Sequence, residues 1–326
     1  MNANIGSIVD VRVKPLQSAL GFIAIGLLLY AMLDTAAELL LYRTGRTNPI
    51  YKIDTLAAPS VDWVILGASH AMPLDFDDVN AQLERDTGRS VINLASPGAG
   101  PLYNRFVFEH FLHTHRARRL LYVVDSFAFE AKNWNEDRFA DAKMLASTPM
   151  SVDVAQRLYG YVHREGVTPG ALANYLTGFS KINNRARFER DVWEGELQFD
   201  RSYRPSASAT QKRIAYLYPQ PLDAAVRARY LQAFARLVEL AQEQGLQVTV
   251  TKLPLPRAFR ARLPDEEAFN AALNGVLQAH GLALQDYSAT LDADTDFFDT
   301  DHMGRTGVLA FEQQTLRDLL TAEHAP

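Results

Sequence analysis

From residue 61 onward the chain repeats one pattern: a short apolar run, a turn of small and polar residues, then a segment of helical length. Residues 61–66, 90–95, 119–124, 246–253 and 282–287 read as strands, and 77–86, 101–114, 222–244, 265–280 and 305–323 as helices. Strands that are apolar almost throughout are buried on both faces, and strands separated by helices run parallel, because a parallel crossover needs a dozen or more residues. The pattern therefore predicts an α/β fold, a three-layer α/β/α sandwich around a mostly parallel sheet. In such sheets functional groups gather beyond the carboxyl ends of strands. Ser69, the loop at 96–100 and Ser126 all fall at such ends. The rhythm lapses between 127 and 219, where Trp134, Trp193 and many Phe and Tyr residues sit among charges. This stretch reads as a partly helical insertion over the same edge, or equally as a surface for docking another protein.

Ahead of this domain, residues 16–33 are free of charge and strongly apolar. At 1.5 Å per residue they extend about 27 Å, close to the ~30 Å of a bilayer's hydrocarbon core. A cleaved signal peptide would have a shorter apolar region followed by a small-x-small site. Here residues 34–42 continue as an amphipathic helix instead, which favours an uncleaved anchor over a signal peptide or a buried soluble helix. The expected plan is a cytoplasmic head at 1–15, a transmembrane anchor at 16–42, a connector at 43–60 broken by Gly45, Pro49 and Pro59, and a globular domain at 61–326. Arg12 and Lys14 precede the span while Arg43, Arg46 and Lys52 follow it, so charge does not set the orientation. The simplest topology puts the short head inside a bacterial inner membrane and the main domain in the periplasm or outside the cell.

A net charge of −5 and a pI near 5.9 argue against a nucleic-acid binder, which would normally show a basic face. With no cysteine there is no disulfide, thiolate metal site or cysteine nucleophile. His110, His113 and His115 are spaced by three and two residues and do not share one helical face. They read as a solvated basic helix end, and no metal is expected. The Gly98-Ala99-Gly100 turn lacks the Lys-Ser/Thr of a P-loop and the spacing of a dinucleotide site, so no cofactor is expected. Asp75, Asp77 and Asp78 are placed to cap the first helix of the domain, and Arg257, Arg260 and Arg262 read as a solvated loop.

Two short motifs carry the chemistry. Gly67-Ala68-Ser69-His70 closes the apolar run Trp63-Val64-Ile65-Leu66, and Asp299-Thr300-Asp301-His302 lies near the C-terminus before a helix. Serine is a poor nucleophile near neutral pH unless an imidazole takes its proton and a carboxylate fixes the tautomer of that imidazole. Ser69, His302 and Asp299 supply these three groups; each also has a plain structural reading, as a helix cap or turn residue. Asp301, as the immediate neighbour of His302, is expected to point away from it. His70 is a secondary candidate for lining the pocket.

The combination resembles the SGNH (GDSL-like) hydrolase superfamily, with its early strand-end serine and late Asp-x-x-His. Val91-Ile92-Asn93-Leu94-Ala95-Ser96-Pro97-Gly98 is similar to its second block. The resemblance implies an SGNH/flavodoxin-like sandwich with Ser69 as nucleophile, His302 as base and Asp299 as its orienter. It also implies an oxyanion hole from the amide of Ser69 and one from the loop of Ser96 and Gly98. The superfamily's third block normally offers an Asn; here the place reads Val124-Asp125-Ser126-Phe127, leaving Ser126 as the substitute donor. With its anchor, the chain resembles the single-span proteins of teichoic-acid D-alanylation and alginate O-acetylation. That implies a serine acyltransferase or esterase acting on O-acyl groups of an envelope polysaccharide, at the membrane, beside a polytopic membrane-bound O-acyltransferase. A non-catalytic scaffold or binding protein with the same fold is the alternative, favoured by the altered third block.

Overall fold

The computed structural model describes residues 10–44, 46–189 and 192–322. Five parallel strands form one sheet: β1 Ser60–Leu66, β2 Val91–Asn93, β3 Arg116–Val123, β4 Gln247–Lys252 and β5 Leu284–Asp286, in the order β2-β1-β3-β4-β5. This is the doubly wound order in which the chain reverses direction across the sheet beside β1, so the crevice between β1 and β3 opens at their carboxyl ends. Alternation along the central strands sorts side chains into two cores. Val64, Leu66, Leu120 and Tyr122 enter one, with helices Pro101–Thr114, Ala224–Glu243 and Glu266–Ala279. Trp63, Ile65, Leu121 and Val123 enter the other, with helices Val79–Thr87 and Arg305–Phe311. Both faces are covered, which is why the carboxyl-terminal halves of the central strands, Trp63–Leu66 and Leu120–Val123, are apolar at every position, while their less buried starts carry Asp62 and Arg116.

The outer strands are shorter than their apolar runs: β2 keeps three residues and β5 three. The helix expected at 77–86 is preceded by a 3₁₀ segment, Ser69–Asp75, that contains Pro73, and the α-helix starts only at Val79. Proline lacks the N–H for an α-helical bond, and Asp77 with φ 49° then turns the chain. The three aspartates do not cap this helix as expected. Asp75 pairs with Lys52 at 2.5 Å, Asp77 and Asp78 both pair with Arg305, and the Asp78 side chain makes no cap bond. The final helix is interrupted by a π-turn at Glu312–Leu316.

Between 127 and 219 the described residues form short helices and 3₁₀ turns and no strand. His110 corrects the expectation of a solvated helix end. It is buried, with Nδ1 2.8 Å from Asp153 and Nε2 2.9 Å from Asp54, so its acidic partners come from two other helices. His115 is buried too, and His113 is exposed.

A long helix, Asp10–Thr44, precedes the domain, and its stretch Leu16–Arg43 is long and apolar enough to cross a membrane. None of its most apolar window is buried by the rest of the chain. The domain meets it from Tyr30, whose hydroxyl donates to Thr177 O, to the buried Ala37 and Leu41.

Candidate active site

The site begins where β1 ends. Gly67 lets the strand turn beside β3, since a Cβ there would lie 2.9 Å from the Cβ of Val123 and 3.0 Å from its carbonyl oxygen, at a φ of +158°. Two residues later Ser69 opens the 3₁₀ segment without using its side chain as a cap. From the other end of the chain, residues 297–303 form a loop closed by an antiparallel bridge between Phe297 and Met303 and by Phe298 N donating to His302 O at 3.1 Å. This loop delivers His302 to Ser69.

The three residues read from the sequence meet. His302 Nε2 is 3.0 Å from Ser69 Oγ, and His302 Nδ1 is 2.9 Å from both carboxylate oxygens of Asp299. Asp299 Oδ1 also accepts the backbone N–H of Asp301 at 3.0 Å and of His302 at 2.8 Å. A carboxylate can only accept, so Nδ1 carries a proton and Nε2 of the neutral ring is left to accept the serine hydroxyl proton. Ser69 is 4% exposed and His302 2%, beneath the Trp193 ring at 5.1 Å and a stacked Phe298 at 5.5 Å from the imidazole.

A second group is centred on His70, and the sequence signals little of it. His70 Nδ1 pairs with Asp125 at the end of β3, and Nε2 lies 3.0 Å from Asp301 Oδ2. Arg213, from the helix Ala207–Leu217, donates from Nε to the same Asp301 oxygen at 2.8 Å and to Oδ1 at 3.0 Å. With carboxylates on both ring nitrogens, His70 is an imidazolium. Burial alone would strip its proton, but the charge of Asp125, its hydrogen bond, and the bond and charge of Asp301 outweigh burial and raise the pKa from 6.5 to about 10. Burial likewise pushes Asp301 up, but neighbouring His302, the His70 bond and the Arg213 charge hold it well below the carboxylate range. Asp301 Oδ1 does approach His302 Nδ1, at 3.7 Å, yet the Asp301 carboxylate is engaged by His70 and Arg213 and leaves that nitrogen to Asp299. His70 is thus part of a buried row of alternating charge, its ring 4.9 Å from that of His302, rather than a pocket wall. The signal available in sequence was Asp125 standing in the third block; the partners Asp301 and Arg213 come from distant segments.

The oxyanion candidates divide. Ser126 is corrected: its hydroxyl donates to Glu266 at 2.5 Å and receives Tyr218 OH at 2.7 Å, so its single proton is spent away from Ser69. The Ser96 amide is also spent, on Gly67 O at 3.4 Å, whereas the Ser96 hydroxyl is buried without a partner. Neither the Ser69 nor the Gly98 amide has an acceptor among the described residues. Gly98, at φ +62°, lies so close to the Trp134 ring that a Cβ would meet it at 2.6 Å.

Beside the triad, sharing the Trp193 wall, a cleft of about 480 Å³ is lined by Met72, Asn93 and Ala95 together with Arg43 and Lys52. His70, Asp301 and His302 bring one donor atom each within 4.8 Å of one another, the spacing a metal ion would need. Their atoms are already committed, however: His70 to two carboxylates, Asp301 to His70 and Arg213, His302 to Asp299 and Ser69. The trio suits a charge network better than a metal.

No protein-family model matches the sequence, and no curated protein matches it. Among solved structures, a Bacteroides fragilis protein provisionally described as an acylhydrolase matches with 11% identity, over 82% of this chain and 94% of its own, at a TM-score of 0.41. A likeness at that level carries no inference about chemistry, which rests on the geometry above.

Proposed function

We propose that this chain is a membrane-anchored serine acyltransferase or esterase of the SGNH type. The observation that carries the reading is the continuous hydrogen-bond path from Ser69 Oγ through both nitrogens of His302 to Asp299. Ser69 Oγ attacks an acyl carbonyl as His302 Nε2 takes its proton; the imidazolium is stabilised by Asp299 and returns the proton to the leaving alkoxide. The acyl-serine then passes its group to a hydroxyl acceptor or to water by the same steps reversed. The free amides of Ser69 and Gly98 and the unpartnered Ser96 hydroxyl are the donors for the oxyanion, each worth about 3–4 kcal/mol to the barrier when aligned. The aromatic cover of Trp193 and Phe298 limits water, which favours transfer over hydrolysis.

The substrate in this reading is an O-acyl group on an envelope polysaccharide, and the partner a polytopic membrane O-acyltransferase that supplies acyl groups across the bilayer. The span Leu16–Arg43 supports anchoring, and in this reading the membrane is a bacterial inner membrane with the domain on the periplasmic or outer side. A fluorophosphonate probe tests the chemistry: wild-type chain labels, Ser69→Ala does not, and an unlabelled wild type with intact fold overturns the proposal. The near-complete burial of Ser69 and the committed Ser126 hydroxyl favour a second reading, a non-catalytic scaffold. In that case Ser69→Ala would retain full function in a strain that depends on the protein.

A further inference from the structure

Large exposed apolar side chains outside the long helix collect in the 127–219 segment: Leu176 is 54% exposed, Phe179 58% and Phe188 79%. The first two flank a docking contact. Tyr30 OH donates to Thr177 O at 2.8 Å, the Met150 amide donates to Glu38 at 2.8 Å, and Lys181 pairs with Glu38. Gly178 packs so closely on Asp34 that any Cβ there would collide with its carboxylate. Helices Pro169–Thr177 and Phe179–Ile182 are therefore fastened to the long helix between Tyr30 and Glu38.

Depth follows from helical rise. From Leu16, where the apolar span begins, to Tyr30 is about 21 Å along the axis, whereas the hydrocarbon core is ~30 Å thick. If the span enters the core at Leu16, Tyr30 stands about 9 Å short of the boundary on the domain's side, and tilt only deepens it. Glu38, about 33 Å from Leu16, stands about 3 Å beyond that boundary, so a face fastened between Tyr30 and Glu38 straddles the level where acyl chains meet headgroups. Its composition agrees: apolar tips accompanied by the exposed Arg185 and by Arg187, whose guanidinium lies 6.0 Å from the Phe188 ring, a pairing suited to anionic headgroups.

We propose that the face carrying Leu176 and Phe179 seats in the interfacial layer of the bilayer, with lipid as its occupant. The inference rests on the anchor reading above. It gives the domain two membrane contacts instead of one flexible stem, which prevents rotation about the helix. It also holds the cleft at Arg43 about 20 Å further along the helix axis than Tyr30.

The experiment uses the full chain reconstituted into phosphatidylcholine–phosphatidylglycerol vesicles that contain lipids brominated at shallow or deep acyl positions. Tryptophan quenching is compared between the unsubstituted chain and three variants, Leu176→Trp, Phe179→Trp and Phe22→Trp. The inference expects the probes at 176 and 179 to lose at least half their added emission to shallow bromines and to be shielded from aqueous iodide. Phe22→Trp should respond to deep bromines. Probes at 176 and 179 that iodide quenches freely, or that neither quencher reaches, overturn the lipid seat, the latter result pointing to a protein occupant. Quenching at 176 and 179 without quenching at 22 supports the seat and refutes the anchor, so the two readings fail separately. A Leu176→Glu/Phe179→Glu chain carrying a Trp at Phe188 provides the control: its emission should become accessible to iodide.

Discussion

Replacing His70 by glutamine tests whether the buried charge row is real. In the folded chain the imidazolium sits between Asp125 and Asp301 with its pKa raised from 6.5 to about 10. Below about pH 6.5 the ring is protonated in folded and unfolded chains alike, and the full contribution of its pairing is present. As pH rises from there toward 10, only the folded state keeps the proton, so the contribution shrinks, and above about 10 it is gone. The rise corresponds to stabilisation on the order of 4–5 kcal/mol, comparable with the ~3–5 kcal/mol that removing one partner of a buried pair typically costs. Glutamine keeps a hydrogen-bonding group but no charge, leaving two carboxylates against Arg213 alone. In a chain of this size the variant should melt roughly 6–8 °C below wild type near pH 6. The gap should narrow steadily as the pH is raised toward 10. The assay is thermal unfolding of detergent-solubilised full chain, followed by circular dichroism across that pH range. A gap of a degree or two, or one unchanged with pH, would refute an imidazolium at this position.

Three further outcomes follow from the geometry. Asp299→Asn should slow fluorophosphonate labelling of Ser69 by about 10³–10⁴-fold near neutral pH with little loss of stability, because an amide can donate to His302 Nδ1 and favour the wrong tautomer. Ser126→Ala should leave the labelling rate within about threefold of wild type, since its proton is directed to Glu266; a loss as large as that of an oxyanion donor would restore Ser126 to the site. Gly67→Ala should lower the melting temperature by several degrees, a cost of roughly 1–3 kcal/mol for forcing a methyl to 2.9 Å from Val123 at the turn that carries Ser69.

Sequence and structure agree wherever a local cause decides. Continuous apolar runs such as Trp63-Val64-Ile65-Leu66 could only be strands covered on both faces, and the helix at Pro101–Thr114 has its proline at the first turn and its extent set by the following β3. Strand-end placement made Ser69 legible, whereas its pairing with Asp299 and His302 was an expectation from triad chemistry and from the resemblance of the two motifs. What stayed hidden depends on side chains from separate elements converging. His70 looks ordinary in sequence because Asp125 and Asp301 lie 55 and 231 residues away, and Arg213, which binds Asp301, lies 88 residues before that aspartate. Ser126 was misread because Tyr218 and Glu266, which capture its hydroxyl, lie 92 and 140 residues away. His110 acquired its carboxylates in the same manner, from Asp54 and Asp153. Outer strands were overestimated because apolar runs continue past the last paired residue.

The most direct measurement is of the acyl-serine itself. Full-length chain is mixed with an activated acetyl ester, quenched in acid within the burst, digested, and sequenced by mass spectrometry. An acetyl group on the hydroxyl of Ser69, accumulating in wild type and absent from His302→Gln, is the result the account predicts. An acetyl group that forms equally well without His302, or ester turnover with Ser69 unmodified at every quench time, would contradict it.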